Sequence, residues 1–263
     1  MMEALIVNAA LLASVMLALW LVAVRIGDVS FIDAVWAFGM ALLAVASWAQ
    51  LGDPGDRASL IAGMTLLWGL RLGIHLLIRW WRNGEDPRYA KILGKAKAEG
   101  RFASAALTKI FGGQALLLFI TCLPAQLGIL ASGAPAAIGP LAMVGVAIWC
   151  IGILFETIGD WQLNRFRADP ANKGKVLDSG LWRYTRHPNY FGDACVWWGI
   201  WLVAAEAGWG VALASLAGPI FLTFTLTRWS GKPLLEKALV KSRPDYAAYV
   251  ERTSGFFPLP PKH

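Results

Sequence analysis

Seven apolar stretches, each long enough to cross a bilayer as a helix, dominate this chain. A transmembrane helix needs about 20 mostly apolar residues. Such runs fall at about 4–24, 31–51, 59–79, 107–130, 137–157, 190–206 and 209–228. Inside a bilayer a helix satisfies its own backbone hydrogen bonds. The pattern therefore predicts an all-α polytopic membrane protein, a single domain of seven transmembrane helices over residues 1–263. Only 16% of the residues are charged and the mean hydropathy is +0.53, whereas soluble domains carry about 25% charge. The first apolar run lacks a basic leader and reads as a retained helix, not a signal peptide. Cys122, Cys150 and Cys195 lie in apolar stretches without a Cys-x-x-Cys pair, so they read as small core residues and no metal site is expected.

Charge orients the spans. The segment from Trp80 to Lys109 carries Arg82, Arg88, Lys91, Lys95, Lys97, Arg101 and Lys109. The segment from Ile158 to Pro188 carries Arg165, Arg167, Lys173, Lys175, Arg183 and Arg186. With the tail from Arg228 onward, these hold 20 of the 24 Lys and Arg residues. The opposite loops, about 52–58, 131–136 and 207–208, hold only Arg57. The positive-inside rule then places the N-terminus outside and the C-terminus in the cytoplasm. In a bacterial source this is the inner membrane. The net charge of +7 is read as topology and as contact with anionic lipid heads, not as nucleic-acid binding.

Polar residues recur at helical spacing within the spans. Arg71, His75 and Arg79 sit four apart, with Arg82 beyond. Glu156, Asp160 and Asn164 repeat the spacing, with Arg167 beyond, and Asn189 and Asp193 repeat it again. Asp33 opens the second span. Residues four apart share a helix face. An intramembrane charge costs roughly 2.5–3.5 kcal/mol at a helix centre, so such groups face one another or a wet cavity. Interhelical ion pairs, such as Arg71 with Asp33 or Glu156, are the plain structural alternative. Three stripes on one side favour a pocket for a polar, anionic ligand. Carboxylates suit ribose hydroxyls or amide N–H groups. Arg167, Arg183, Arg186 and Lys232 suit phosphates. The chain has no Walker loop, nucleophile elbow or His-Glu-x-x-His; Gly174-Lys-Val is a loop fragment.

The run Gly180-Leu-Trp-Arg-Tyr-Thr-Arg-His-Pro-Asn-Tyr-Phe-Gly-Asp193 resembles the hallmark of the DUF1295 family, which is related to the C-terminal domain of steroid 5-alpha-reductases. The resemblance extends to Asp160–Arg167, Ser230–Lys237, Arg243–Pro258, Ser30–Trp36 and Trp68–His75. It implies a seven-helix enzyme with NADPH in a cytoplasm-facing pocket, reducing the C=C bond of an enone in a hydrophobic substrate taken from the bilayer. Asp160, Arg167, Asn189, Tyr190 and Asp193 match positions lining that NADPH site. Glu156 stands at an asparagine position and Arg71 at an arginine on the third helix. Arg82, Asn164, Arg183, Arg186, His187 and Lys232 complete the expected cofactor-binding set. Asp33 matches an acidic residue beside the substrate carbonyl.

This chain departs from the steroid enzymes at the substrate end. Ile32-Asp33 replaces their Gln-Glu pair, and Leu234 and Leu235 replace histidines. By the same resemblance Trp68 occupies the place of the catalytic tyrosine and lacks a phenolic proton, so either Asp33 or His75 is expected in that role or the substrate needs less polarisation. The rival enzyme is an S-adenosylmethionine-dependent methyltransferase of the isoprenylcysteine or phospholipid type. Those enzymes share the Arg-His-Pro-x-Tyr pattern and a tail like Glu236…Asp245…Tyr249…Pro258. A transporter or scaffold is the third reading, disfavoured by the absence of repeats.

Overall fold

The computed structural model describes residues 1–132, 138–229 and 231–262. Ser230, the side chain of Leu234 and most of the 131–136 loop lie outside the described residues. Among the described residues the structure is helical with no strand. Six helical segments are long and apolar enough to cross a membrane: Met2–Ile26, Ile32–Ala49, Asp56–Asn83, Phe102–Thr121, Pro140–Ala168 and Trp209–Trp229. The expected span at 190–206 is present as a helix, Pro188–Ala205, but is not among these six. Asn189, Asp193 and three tryptophans dilute its apolar character. The spans expected at 107–130 and 209–228 are broken. The first passes through a π-helical stretch at Leu107–Gly112 and a break at Cys122. The second breaks at Leu216 and turns π-helical at Thr225–Trp229.

The helices fall into two compact units. The first comprises Met1–Gly139 with Val203–Ala217, and the second Pro140–Leu202 with Gly218–His263.

In the first unit, helix α1 (Met2–Ile26) ends on Gly27, whose φ of 71° suits a residue without Cβ. Helices α2 (Ile32–Ala49) and α3 (Asp56–Asn83) pack against each other closely. A Cβ on Gly69 would sit 2.6 Å from the Ala37 carbonyl oxygen, and one on Gly73 would meet the Phe38 ring at 2.6 Å. Small residues four apart thus let the backbones approach, as membrane helix pairs require. Asn8, Ser47 and Gln126 are fully buried and bonded together. The Asn8 amide donates to Ser47 Oγ at 2.7 Å and Gln126 Oε1 at 2.9 Å, and Gln50 donates to Asn8 Oδ1. Such interhelical bonds contribute about 0.6 kcal/mol each on average in a membrane protein. They fix register more than they add stability.

Helix α4 (Pro87–Ala98) begins at Asp86, whose carboxylate accepts from the Arg88 N–H, with Pro87 in the first turn. Helices α5 (Phe102–Ala106), α6 (Gly113–Thr121) and α7 (Leu123–Leu130) complete the unit's apolar core.

The second unit is built on helix α8 (Pro140–Ala168) and helix α9 (Pro188–Ala205). Glycines recur every seven residues on both: Gly145, Gly152 and Gly159 on α8, Gly192 and Gly199 on α9. A Cβ on Gly192 would lie 2.6 Å from the Gly152 carbonyl oxygen, and one on Gly199 2.6 Å from that of Gly145. A seven-residue repeat keeps one seam of a helix against its partner. The crossing is therefore backbone on backbone along several turns. Helix α10 (Trp209–Ser215) belongs to the first unit; helix α11 (Ala217–Phe224) returns the chain to the second, followed by the tail helices α12 (Lys232–Ser242) and α13 (Tyr246–Arg252).

Candidate functional site: a carboxylate–amide set and an arginine-locked tail

The glycine seam carries the polar residues of the second unit inward. Glu156 and Asp160, one turn apart on α8, are 2% and 7% exposed. A Cβ on Gly192 would lie 2.7 Å from the Glu156 amide nitrogen, so Glu156 sits at the tightest part of the crossing. On α9 the Asn189 amide donates to Asp160 Oδ1 at 3.1 Å, while Asn189 Oδ1 accepts from the Tyr190 N–H. Asp193, half-buried, lies one turn further. Four of the expected cofactor residues thus sit on two helices in direct contact. Asn164 and Arg167, further along α8, are exposed, as is Arg183.

Arg186 is placed differently from the expectation. It is 7% exposed and its guanidinium is committed to the tail. Nε donates to Glu236 Oε1 at 2.7 Å, Nη2 reaches Glu236 Oε2, and Nη1 donates to the carbonyls of Val250 and Thr253. Its backbone N–H donates to the Ser254 carbonyl. These bonds lock the tail to the start of α9. His187 has the same partner: Nε2 lies 3.0 Å from Glu236 Oε1, and the ring stacks on Tyr190 with centroids 5.1 Å apart. Lys232 lies beside this lock, over Gly255.

Burial opposes ionisation of Glu236, but the hydrogen bonds from His187 and Arg186 and the Arg186 charge outweigh it, and the carboxyl falls to about 2. Burial of His187, aided by the Arg186 and Lys232 charges, depresses its pKa despite Glu236. The pair is a carboxylate with a neutral imidazole, and in that form Nε2 is the donor.

In the first unit Asp33 is an acceptor on both oxygens. Arg79 and Arg88 donate to Oδ2 at 3.1 and 2.7 Å, and the Tyr89 hydroxyl donates to Oδ1 at 2.7 Å. Asp33 is thus paired with Arg79, two turns along α3 from Arg71. An acceptor already holding three donors is ill placed for the proton-donor role expected of it. The network continues through Asp86, which holds Arg88, and Ser30, whose Oγ accepts from the Asp86 N–H and donates to Asp28. Asp28 also accepts from Trp80 Nε1. Burial works against the charge on Asp28, and the bonds from Ser30 and Trp80 bring its carboxyl below the ordinary value. Trp68 is buried at 2% exposure. Arg71 and His75 are half-buried and Arg82 is exposed.

Two sets of residues escaped the sequence reading. The glycine repeat was visible as five glycines at spacings of seven. Tyr89 and Arg88 had no visible signal, because their partner Asp33 is more than fifty residues away.

Helices of membrane-spanning length around buried carboxylates and amides define the class: an α-helical polytopic protein with a polar interior. The chain belongs to the DUF1295 family, described as "Protein of unknown function (DUF1295)", whose pattern it matches over residues 19–253. An uncharacterized protein of Schizosaccharomyces pombe is 23% identical over 91% of this chain and 75% of its own length. The 3-oxo-5-alpha-steroid 4-dehydrogenase 1 of Mus musculus is 32% identical over 33% of this chain and 31% of that protein. A probable O-methyltransferase of Ustilaginoidea virens is 31% identical over 32% of this chain and 29% of that protein. The similarity thus spans about a third of each enzyme. No solved structure matches the chain.

Proposed function

We propose that this protein is a membrane-embedded oxidoreductase that uses NADPH to reduce an activated C=C bond, such as an enone, in a hydrophobic substrate drawn from the bilayer. One observation carries the reading. Glu156, Asp160, Asn189 and Asp193 are gathered on the close α8–α9 crossing of the second unit, a polar set such as intramembrane ligand sites carry. Similarity to a 3-oxo-5-alpha-steroid 4-dehydrogenase supports the same reading. The residues fit a dinucleotide: carboxylates and a side-chain amide pair with ribose hydroxyls and the nicotinamide amide. Exposed Arg167 and Arg183 meet phosphates. When bound, NADPH supplies the hydride; the protein supplies orientation and electrostatics. Arg186 and His187 act by holding the tail and the start of α9 in place. In the first unit His75 keeps the proton-donor candidacy that the geometry of Asp33 and the indole of Trp68 make difficult. The basic connecting segments put the cofactor end on the cytoplasmic side and in contact with anionic lipid heads.

A methyltransferase is the second reading, favoured by the similarity to an O-methyltransferase and by the Arg186–His187–Glu236 lock, which joins the two sequence signatures shared with such enzymes. Thermal unfolding of the purified protein with NADPH or with S-adenosylmethionine discriminates. A ligand that binds only the native state stabilises it by about 2.7 kcal/mol at a hundredfold excess over Kd. A shift with NADPH alone is expected. A shift with S-adenosylmethionine alone rejects the reductase reading.

A further inference from the structure

Within the second unit, the end of the chain forms a strap beside the start of α9. The Ser254 carbonyl accepts from the Arg186 N–H, and the Phe256 carbonyl accepts from the Thr185 hydroxyl at 2.9 Å. The Leu259 N–H donates to the Tyr184 carbonyl at 3.0 Å, and the Lys262 N–H donates back to the Arg252 carbonyl. Both ends are tied down, with Phe256–Leu259 as the middle. A non-helical segment ordinarily lies in water, because unbonded backbone N–H groups are costly in an apolar setting. This strap has few to satisfy. Pro258, Pro260 and Pro261 carry no N–H. Between Pro258 and Pro261 only Leu259 keeps one, and it is bonded.

The middle of the strap presents apolar side chains outward: Phe257 is 64% and Leu259 55% exposed. They continue a run of rings that starts on the membrane-spanning helix α8. The Phe155 ring meets Phe191 edge-on with centroids 5.0 Å apart, and Phe191 meets Phe256 and Phe257 at 5.9 and 6.1 Å. Phe155 is flanked on α8 by exposed Leu154 and Ile158. Further along α8, Trp161 is exposed, with the Arg165 guanidinium 5.6 Å from its ring. An aromatic ring followed by a cation marks the headgroup level of a span. Phe155 precedes Trp161 by about 9 Å of helix axis, so the run of rings begins inside that level and ends on the strap. Exposed cations stand at both ends of the strap, Arg252, paired with Asp178, and Lys262. An apolar middle between cationic ends matches the layering of a bilayer surface.

We infer that the strap is a membrane-surface anchor: Phe257 and Leu259 insert into the bilayer interface, and lipid covers this apolar edge. The C-terminal segment, by its charge a cytoplasmic tail, thus touches the bilayer that the spans cross. Because the strap is bonded to Tyr184, Thr185 and Arg186, the anchor also holds the turn before α9 against the membrane. This inference does not depend on which reaction the protein performs.

The test is photochemical. Full-length protein in phospholipid nanodiscs carries one photoreactive side chain at a time: Phe257→p-benzoylphenylalanine, then the same replacement at Leu259, Leu154 or Lys173. Irradiation and intact-protein mass spectrometry read what each side chain touches, and unfolding temperature shows that each variant is folded. Leu154, exposed on α8, is the bilayer standard; Lys173, exposed between α8 and α9, is the water standard. Phospholipid adducts are expected at Phe257 and Leu259 in yields comparable with Leu154, and none at Lys173. A covalent dimer formed through Phe257 would place a second copy of the chain on this edge and overturn the inference. So would adducts confined to the chain itself, or no adduct, at both strap positions while Leu154 captures lipid. If Leu154 captures no lipid either, the anchor falls together with the membrane-spanning reading of α8.

Discussion

Arg186 and Glu236 hold the C-terminal segment to the start of α9: Nε lies 2.7 Å from Oε1, with the arginine side chain 7% and the glutamate 16% exposed. The same guanidinium caps two carbonyls at the end of α13. Removing one partner of such a pair leaves a buried charge unmatched and costs about 3–5 kcal/mol. Arg186→Ala is therefore expected to lower the unfolding temperature strongly and to expose residues 232–262 to protease. A tail as protected in the variant as in the wild type would contradict this arrangement.

The pH dependence follows from the same cluster. Glu236 titrates at about 2 in the folded protein against an ordinary value of 4.5. Its contribution is therefore complete above pH 4.5 and lost as pH falls toward 2. His187 is also depressed, from 6.5, so the unfolded chain takes up a proton first. That contribution is complete above pH 6.5 and declines as pH falls through the folded value. Both slopes have one sign, and stability is expected to fall steadily with acidification, by on the order of 2 kcal/mol for Glu236. Glu236→Gln should flatten the curve below pH 4.5, as read by denaturant midpoints across pH.

Gly192→Ala tests the seam. Its Cβ would lie 2.6 Å from a backbone oxygen that cannot turn aside, so the helices must separate. A loss of about 1–3 kcal/mol or more is expected, together with weaker nucleotide binding. Gly63→Ala on α3, whose Cβ meets nothing within 4 Å, serves as the control and is expected to be neutral or stabilising by up to about 1 kcal/mol.

Asp33 is expected to behave as a structural acceptor. Asp33→Asn leaves Arg79 and Arg88 facing a neutral group, and should lower stability rather than act on turnover alone. Tyr89→Phe removes one hydrogen bond to that carboxylate, worth about 1 kcal/mol. Thermal unfolding of both variants reads the difference. Unchanged stability in Asp33→Asn would show that the network is incidental.

Much of this was legible in the sequence, for identifiable reasons. Apolar runs announce helices because the bilayer allows little else, and the i, i+4 pattern put Glu156 and Asp160 on one face as found. Asn189, which donates to Asp160, repeats that spacing with Asp193 on α9. The tail contacts of Arg186 were not legible, because an arginine in a motif looks the same whether it meets a phosphate or a carbonyl. Its partners at Val250 and Thr253 arrive only when the tail folds back. Asp33 was recognised as important, but its donors Arg88 and Tyr89 come from an amphipathic helix in a loop that showed only as basic. The breaks at Cys122 and Leu216 passed unseen because a short interruption barely changes average hydropathy.

The central claim is that this chain moves a hydride from NADPH into a hydrophobic substrate. Its most direct test supplies NADPH deuterated at the transferable position, with a lipid enone, to the protein in bilayer nanodiscs, and follows the product by mass spectrometry. The account predicts a saturated product carrying one deuterium, formed by the wild type and lost in Asp160→Ala. A product labelled from methyl-deuterated S-adenosylmethionine, with NADPH left unconsumed, would contradict it.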